Sequence, residues 1–454
     1  MSSLTLGLAA FVSNLSPATL PADCREAARI GMLDCIGVMI AGADEEPARL
    51  VRTLAPTSTA NDGAPEIPSG RNLSPTDAAL VNGVSAHVLD YDDVAMDGHT
   101  SAVMTPAILA EGWALGSSGE DAIAAYVAGY ELWALLESLE PGHLHERGFH
   151  PTATWGALSA AAACARLNGL DTQATAQAIA ISASLASGLV ANFGTMTKSL
   201  HAGRAAQAGV MAAHLARQGF TASLDVLEHE TGFMRAHSPS GSPELFREQW
   251  GLCGEFWRLP ERGINIKRYP ICYATHRSID AMIDLVRENS LEPESVQEIR
   301  VHTGKTQALM LRNHQPKTGL EAKFSMEFAM ASALVSGRVG LGELTDSFVR
   351  RPDMVETMRK VRITTTEETA SDMPFAPSDQ VTVLLANGRV VEHEPVTHAK
   401  GSWQRRLSCA ELKEKFTDCV QRRCGEDQTE RLFEALWMME ERRSLRELPL
   451  TLIN

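Results

Sequence analysis

Ionisable side chains are concentrated between two apolar segments, in the stretch Ser85–Pro106. Four carboxylates fall within eight positions and an imidazole stands on either side of them; these residues are His87, Asp90, Asp92, Asp93, Asp97 and His99. A buried carboxylate costs several kcal/mol unless it is paired, so the stretch is either a solvated acidic loop or a built polar site. A built site of carboxylates and imidazoles would be equipped for general acid–base chemistry near neutral pH.

Two further polar patches stand where apolar helical segments begin. His150 immediately precedes Pro151, a position typical of a first helical turn, and it is read either as a functional group or as a capping or surface histidine. The second patch stands where another apolar helical segment begins and contains Lys198, His201 and Arg204, each three residues after the last. Cations beside the free N–H groups of a helix start favour an anion site, and a solvated basic turn is the alternative.

A fourth patch lies near Pro260, where the sequence changes character, and contains Lys267, Arg268, Cys272 and His276. Cys272 is four residues before His276, so a nucleophile–base pair is one interpretation and a small buried cysteine the other. The chain has no HExxH or CxxC pattern, no Walker motif and no GxGxxG sequence. We therefore expect no nucleotide site, and metal binding is a weak alternative: Asp90, Asp92 and Asp93 could hold a divalent ion, but they lack the ligand spacing of a calcium loop.

Hydrophobic periodicity predicts the elements that position these patches. Helical spacing is found at 22–43, 77–89, 105–115, 119–137, 152–167, 172–190 and 205–218, and again from Ser408 to about Arg446. Residues 55–75 are rich in Pro, Gly, Ser, Thr and Asn and predict a loop. The helical segments are dominated by alanine and glycine, which is typical of a multi-helix interior.

Alternating patterns in the middle of the chain predict strands at 297–303 and 361–366 and a hairpin over 379–394. The Asn387–Gly388 pair favours a type I′ turn in that hairpin. Helices are expected between the strands, at 275–289, 323–336 and 353–360. The sequence therefore predicts a mainly α protein: an all-helical main domain of residues 1–262 and 402–454, with an inserted α+β domain of residues 263–401.

Charge and composition exclude several classes of protein. The net charge of −15, from 41 basic and 56 acidic residues, argues against nucleic-acid and anionic-membrane partners. The charge-free stretch Thr172–Thr197 is interrupted by polar residues and glycine, so it predicts a buried helix rather than a membrane span. No basic region opens the chain, and the eight cysteines form no regular framework. We expect reduced thiols and a cytoplasmic protein.

Taken in order, the polar patches resemble the MmgE/PrpD family. The matching stretches are Asn82–Asp93, Gly98–His99, Gly148–Thr154, Met196–Ala206, Lys267–His276, Glu321–Ser325, Lys400–Gly401 and Leu407–Ser408. The family includes 2-methylcitrate dehydratase, cis-aconitate decarboxylase and iminodisuccinate epimerase. The resemblance implies an all-helical main domain built from both chain ends, an α+β lid domain, a homodimer, and chemistry without metal or organic cofactor.

The resemblance also implies roles for particular residues. It places the catalytic positions at Asp90, His99, His150, Lys198, Lys267 and Cys272, and possible substrate contacts at His201, Arg204, Arg268 and His276. The lysines would clamp carboxylates of the substrate, with the arginines as outer supports. His99 and His150 are the candidate base and acid, and Asp90 would orient one of them.

Three positions depart from the cis-aconitate decarboxylase branch: Val94, Cys272 and Phe328. The stretches Asn192–Lys198, Cys272–His276 and Lys415–Cys419 look more like the iminodisuccinate epimerase. We therefore expect a cofactor-independent lyase or isomerase that removes a proton next to a carboxylate of a small di- or tricarboxylate. A 2-methylcitrate dehydratase-like hydro-lyase and a non-catalytic carboxylate-binding relative are the alternatives, and itaconate formation is not expected.

Overall fold

Two compact units make up the chain. The computed structural model describes residues 3–140, 143–237, 254, 256–370 and 375–452. Contacts between Cα atoms separate a helical unit, Met1–Ile266 with Ser408–Asn454, from a mixed unit, Lys267–Leu407. The sequence-based boundaries lie after residues 262 and 401. The predicted mainly α class is confirmed, since helices account for most of the elements in both units.

The first segment of the helical unit is a succession of α-helices. They are α1 (Leu4–Asn14), α2 (Ala22–Gly42), α3 (Glu46–Arg52), α4 (Pro75–His87), α5 (Thr100–Leu115), α6 (Gly119–Ser138), α7 (His143–Glu146), α8 (Pro151–Leu167), α9 (Thr172–Ala183), α10 (Thr197–Arg217), α11 (Phe233–His237) and α12 (Arg258–Arg262). Side-chain caps begin several of them: Ser74 Oγ accepts from Asp77 N–H in α4, and Ser118 Oγ accepts from Asp121 N–H in α6.

The helical unit also contains one small sheet. Residues predicted as a loop contain two short strands, β1 (Ala64–Pro65) and β2 (Asn72–Leu73), which pair antiparallel. Asn82 of α4 fixes this region, because its side chain donates to Pro65 O (3.0 Å) and accepts from Ile67 N–H (2.9 Å). A single buried amide therefore orders a segment whose composition indicates only irregular structure.

Helices α4 and α10 touch through their backbones. A Cβ atom added to Gly83 would lie 2.7 Å from Gly203 Cα, and one added to Gly203 would lie 2.4 Å from Leu80 O. Only glycine allows such an approach at these two positions. The helices that carry His87 and Lys198 are thereby held in direct contact.

Helix α9 ends at Ala183 and not near Val190 as its apolar composition predicts. The following residues instead pair with the start of α8: Gly188 O accepts from His150 N–H (3.0 Å), and Val190 N–H donates to Gly148 O (2.9 Å). These tertiary hydrogen bonds compete with helix continuation. The result is a loop, residues 184–196, that runs beside His150.

The mixed unit contains a four-stranded sheet in the order β4–β3–β5–β6. Its strands are β3 (Val296–Gly304), β4 (Val361–Thr366), β5 (Gln380–Leu385) and β6 (Val390–Glu392), and its helices are α13 (His276–Asn289), α14 (Lys305–Met310), α15 (Gly319–Ala322), α16 (Met326–Ser336), α17 (Asp346–Val349) and α18 (Pro352–Met358). Strand β3 pairs parallel with β4 and antiparallel with β5, which in turn pairs antiparallel with β6. The predicted strands and the three predicted helices are confirmed.

The hairpin turn differs from the predicted type I′. Among Ala386, Asn387 and Gly388, only Gly388 has a positive φ, of 83°. Gly388 N–H donates to Leu385 O (2.9 Å), and Leu385 N–H donates to Arg389 O (2.9 Å). A type I′ turn needs positive φ at two residues, whereas this pattern is that of a three-residue loop with glycine in the left-handed position.

The chain returns to the helical unit with α19 (Cys409–Val420) and α20 (Glu426–Trp437). Ser408 begins α19 with a capping box, since its hydroxyl accepts from Glu411 N–H while the Glu411 carboxylate accepts from Ser408 N–H. Among the residues that the structure describes, no helix is both long enough and apolar enough to span a membrane. The cysteines it describes are free, and Cys253 lies outside the described residues.

Candidate active site

The acidic stretch forms a loop between α4 and α5 with an unusual backbone. Asp90, Met96 and Asp97 have positive φ values of 53°, 49° and 58°. Few non-glycine residues adopt this conformation, and such residues concentrate at functional sites. Val94 anchors the loop, because its backbone exchanges hydrogen bonds with Asn265 at 2.9 and 3.0 Å.

Asp92 and Asp93 have no exposed surface in this loop. The reading of the stretch as a solvated acidic loop is therefore wrong for these two residues, although Asp97 is exposed. Because an unpaired buried carboxylate is costly, each of the two needs a local explanation. The explanation is different for each.

Asp92 lies between two imidazoles. Its carboxylate accepts from His87 Nδ1 at 2.9 and 3.2 Å, and Asp92 Oδ2 is 2.9 Å from His99 Nδ1. Burial acts to raise the pKa of Asp92, but His87 and His99 hold it well below its usual range. An ionised carboxylate only accepts, so the neutral His87 ring carries its proton on Nδ1 and leaves Nε2 as an acceptor.

Asp90 has a different partner. Its Oδ1 accepts from Lys198 Nζ at 2.6 Å and lies 3.8 Å from His99 Nε2. The exposed fraction of the side chain is 13% for Lys198 and 10% for Asp90, so the pair is almost buried. The ring of Phe193, from the 184–196 loop, lies 5.4 Å from Lys198 Nζ. Asp92, rather than Asp90, is thus the carboxylate beside Nδ1 of both His87 and His99.

A second pair of imidazoles faces this group. His150 Nδ1 and His201 Nδ1 are 3.1 Å apart, and the edge of Phe193 meets the His150 ring at 4.8 Å between centroids. Burial lowers the pKa of His150 well below its usual value, and the charges of His87 and Lys198 lower it further. Burial and Lys198 also lower the pKa of His201. His150 is therefore neutral at physiological pH.

These contacts define a histidine cluster within the helical unit. It comprises His87, Asp90, Asp92, His99, His150, Lys198 and His201. The rings of His87 and His99 lie 4.3 Å apart, and those of His87 and His150 6.0 Å apart, between centroids. The cluster joins a cation that can bind a carboxylate to neutral imidazoles that can accept a proton.

Protonation explains how the Asp93 carboxyl group can be buried. Thr100 Oγ1 donates to its Oδ2 at 3.0 Å, and Oδ1 has no hydrogen-bond partner among the described residues. Burial and the adjacent Asp92 charge raise the pKa of Asp93 to about 7. The neutral form is thus retained far above the pH at which an exposed aspartate ionises.

Asp93 should consequently couple the stability of the fold to pH. Because its folded pKa is raised, its contribution to the free energy of unfolding is complete below about pH 4 and is lost as the pH rises to about 7. Asp93→Asn mimics the neutral form. As the pH rises through this range, the free energy of unfolding of the variant should therefore increase relative to that of the parent, by roughly 4 kcal/mol at most. Urea unfolding from pH 4 to 8 measures the difference. Asp62→Asn, at an exposed loop position, should show no such trend, and a pH-independent Asp93→Asn difference would contradict the assignment.

The structure brings together five of the residues selected from the sequence: Asp90, His99, His150, Lys198 and His201. Arg204 is not among them, because its exposed guanidinium donates to Gln207 one helical turn away.

The remaining selected residues belong to the mixed unit. Lys267 and Cys272 are buried, and Cys272 N–H donates to Lys323 O at 2.9 Å. His276 is packed against the rings of Tyr269 and Tyr273, with its Nε2 3.2 Å from Ile271 O. Arg268 lies 5.7 Å from the Tyr269 ring centroid. Their functional roles stay predictions.

Sequence reasoning noted His87 and Asp92 in the polar stretch but did not select these two members of the cluster as site residues. The available signal was His87 itself, an imidazole in the last turn of a helix otherwise rich in alanine and valine. Asp92 could not be separated from its acidic neighbours by sequence, because side-chain direction in the loop depends on the positive φ at Asp90.

The cluster also contains a donor set that suits a metal ion. Ligand atoms of His87, Asp92 and His99 all lie within 4.8 Å of one another. Two imidazoles and one carboxylate are a common ligand set for divalent transition metals. This geometry was not expected from sequence motifs, and it has to be tested beside the metal-free chemistry.

Comparison with known proteins adds a family and several relatives. Residues 7–245 match the MmgE/PrpD N-terminal domain, and residues 269–440 match the MmgE/PrpD C-terminal domain. Cis-aconitate decarboxylase of Homo sapiens is 28% identical over 426 residues, covering 90% of this chain and 86% of that protein. The Mus musculus protein of that name is 28% identical over 431 residues, covering 90% and 85%. The one from Aspergillus terreus (strain NIH 2624 / FGSC A1156) is 25% identical over 417 residues, covering 86% and 84%.

Proposed function

This chain belongs to the MmgE/PrpD family, and from that premise we propose that it is a cofactor-independent lyase or isomerase acting on a small di- or tricarboxylate. The reaction starts with removal of a proton from the carbon next to a carboxylate. The observation that carries the proposal is Asp92 lying within 2.9 Å of Nδ1 of both His87 and His99, beside the Asp90–Lys198 pair.

Lys198 is the group we assign to the substrate carboxylate. It is the cation of the histidine cluster, and its partial exposure of 13% leaves a surface that a ligand can reach. A substrate carboxylate would compete with Asp90 for its ammonium group. Charge that develops on this carboxylate as the neighbouring carbon loses its proton is then stabilised where it forms.

His99 is the proposed base. Its side chain keeps 11% exposure whereas that of His87 has none, so His99 is the ring of this pair that a substrate can approach. Asp92 fixes the proton of His99 on Nδ1 and stabilises the imidazolium that forms when Nε2 accepts a proton. His150, neutral because of its lowered pKa, is the second group, available to a leaving group or to the opposite face of the carbanion.

The outcome depends on what is attached next to the carbanion. A β leaving group gives dehydration, and re-protonation on the opposite face gives epimerisation. Decarboxylation would instead form the carbanion by loss of CO2, and that carbon would then take up a proton. The relatives compared above are named cis-aconitate decarboxylases, whereas Val94, Cys272 and Phe328 depart from that branch. We propose an epimerase- or dehydratase-type reaction, with 2-methylcitrate dehydration as one specific form.

Incubation with candidate acids in D2O tests both the class and the outcome. Iminodisuccinate, 2-methylcitrate and cis-aconitate each report one reaction by NMR: deuterium exchange with inversion, a new alkene, or itaconate with CO2. We expect deuterium incorporation next to a carboxylate for at least one acid. Itaconate as the sole product would contradict the epimerase- or dehydratase-type assignment. A protein that binds these acids but gives neither deuterium exchange nor a new alkene nor itaconate would be a non-catalytic relative.

A metal-dependent lyase is the second candidate, because the donor atoms of His87, Asp92 and His99 lie within 4.8 Å. Dialysis against a chelator, followed by metal analysis and assay, distinguishes the two. We expect turnover to persist without metal, and added Zn2+ to inhibit by occupying the imidazoles that accept protons. Loss of turnover on dialysis with recovery on metal addition would favour the second candidate.

We also propose that Lys267 and Cys272 take part in catalysis, that Arg268 and His276 support substrate binding, and that the protein is a cytoplasmic homodimer. Light scattering after size exclusion tests the dimer. Lys267→Met and Cys272→Ser variants, assayed on the acid that exchanges deuterium, test the first two roles. Parental rates in both would remove these residues from the proposed mechanism.

A further inference from the structure

A cavity outside the histidine cluster is lined by three arginines. Its volume is about 450 Å3, within the range of small-molecule sites, and it shares no residue with the cluster. The lining residues are Asp44, Arg52, Glu66, Pro68, Ser69, Arg71, Arg423 and Leu452. We call this cavity the arginine pocket. All of it lies within the helical unit.

Glu66 holds two guanidinium groups in fixed positions. One of its oxygens accepts from Arg52 Nε, and the other accepts from Arg71 Nε at 2.9 Å. Backbone carbonyls fix the same groups further, because Arg52 Nη2 donates to Ala43 O (2.7 Å) and Arg71 Nη2 to Arg52 O (3.3 Å). The two arginines are therefore preorganised, and little side-chain entropy would be lost on ligand binding.

Donor groups remain after these bonds are made. Among the described residues, Nη1 of Arg52 and Nη1 of Arg71 have no hydrogen-bond partner. The side chains of these arginines keep 27% and 31% exposure, whereas that of Glu66 keeps only 1%. A ligand thus meets guanidinium edges, and the carboxylate that holds them is hidden.

Charge in the arginine pocket favours an anion. Arg52, Arg71 and Arg423 face Glu66 and Asp44, which leaves one net positive charge in a chain of net charge −15. Asp44, the partner of Arg423, is 64% exposed and can be displaced from that guanidinium by a better placed oxyanion. Pro68 and Leu452 add an apolar wall that inorganic ions would not use.

We propose that the arginine pocket binds a small organic anion. Its carboxylate or phosphate group pairs with Arg52 and Arg71, a second acidic group meets Arg423, and its carbon skeleton packs on Pro68 and Leu452. Arginine forks recognise both kinds of oxyanion, so the ligand is defined by its two acidic ends and its short carbon chain. This site is separate from the proposed catalytic cluster.

Calorimetric titration tests the proposal with citrate, 3-phosphoglycerate and inorganic phosphate as probes. The titrations use the Asp90→Asn/Lys198→Met protein, which lacks the cation of the histidine cluster, so that binding there does not contribute. Into it are introduced Arg71→Lys, which keeps the charge but loses the fork, Arg423→Gln, and the control Arg300→Gln. Arg300 is an exposed arginine of the mixed unit that pairs with Glu298.

We expect citrate or 3-phosphoglycerate to bind, and both Arg71→Lys and Arg423→Gln to weaken that binding about tenfold or more, with Arg300→Gln unchanged. Whichever probe binds tighter identifies the carboxylate or the phosphate as the preferred group. Equal binding in all variants would overturn the proposal, as would the absence of binding by both organic probes. Inorganic phosphate binding as tightly as the organic anions would overturn the role of Pro68 and Leu452.

Circular dichroism and urea unfolding check that each variant is folded. If Arg71→Lys is not folded, the binding result for Arg423→Gln decides.

Discussion

Replacing Asp92 with asparagine should lower kcat/KM for the acid that is turned over by about a thousandfold, with KM little changed. The asparagine amide donates where the carboxylate accepted. His87 and His99 would respond by moving their protons from Nδ1 to Nε2, which removes the acceptor that we assign to the substrate proton on His99. The imidazolium formed during turnover would also lose its counter-charge. The measurement is steady-state kinetics together with deuterium exchange.

Asp97→Asn is the matched control, because Asp97 is an aspartate of the same loop but is exposed. It should stay within about twofold of the parent. The pH dependence of kcat/KM separates a positioning role from a structural one: Asp92→Asn should shift the acid limb of the profile as well as lower its height. A folded Asp92→Asn protein with parental kcat/KM would refute the assignment of His99 as an Asp92-supported base.

Lys198→Met should abolish detectable binding of the substrate acid and destabilise the fold. The substitution leaves the Asp90 carboxylate nearly buried without its partner at 2.6 Å. Removing one member of a buried ion pair costs about 3 kcal/mol, because the remaining charge stays desolvated. The added substitution Asp90→Asn should restore most of this stability without restoring binding. Urea unfolding and ligand-induced thermal shifts measure the two effects separately.

Lys413→Met provides the comparison for stability. Lys413 also pairs with a carboxylate, that of Glu430, but both side chains are 42% exposed. A solvent-exposed pair of this kind contributes little to stability, so this variant should unfold almost as the parent does. If Lys198→Met were no less stable than Lys413→Met, the Asp90–Lys198 contact would not be the buried pair described here. Unchanged ligand binding in Lys198→Met would remove Lys198 from the carboxylate site.

Much of the architecture follows from local pattern. Helical spacing locates helices that the structure confirms, and alternation locates β3, β4 and β5. The errors arise where tertiary contacts outweigh local preference. Asn82 orders the β1–β2 segment, and the pairing of Gly188 with His150 ends α9 early. Neither contact has a signature in the residues adjacent to it in sequence.

The candidate site was predictable to a smaller extent. Asp90, His99, His150, Lys198 and His201 could be selected as members of polar patches at helix ends, and they do lie together. Their pairing could not be predicted, because the directions of the aspartate side chains depend on left-handed backbone positions within the loop. The sequence-based analysis assigned Asp90 as the residue that orients a histidine. In the structure, the backbone instead turns Asp90 toward Lys198 and Asp92 toward the rings of His87 and His99.

The backbone contact between Gly83 and Gly203 limits how this protein can change during evolution. Main-chain atoms have no alternative rotamers, so the separation of α4 and α10 cannot be adjusted by small steps in side-chain size. A substitution at either glycine would displace His87 and Lys198 together. New substrate preferences would therefore have to arise elsewhere, and the 184–196 loop, which places Phe193 beside Lys198 and His150, offers positions where single replacements can accumulate.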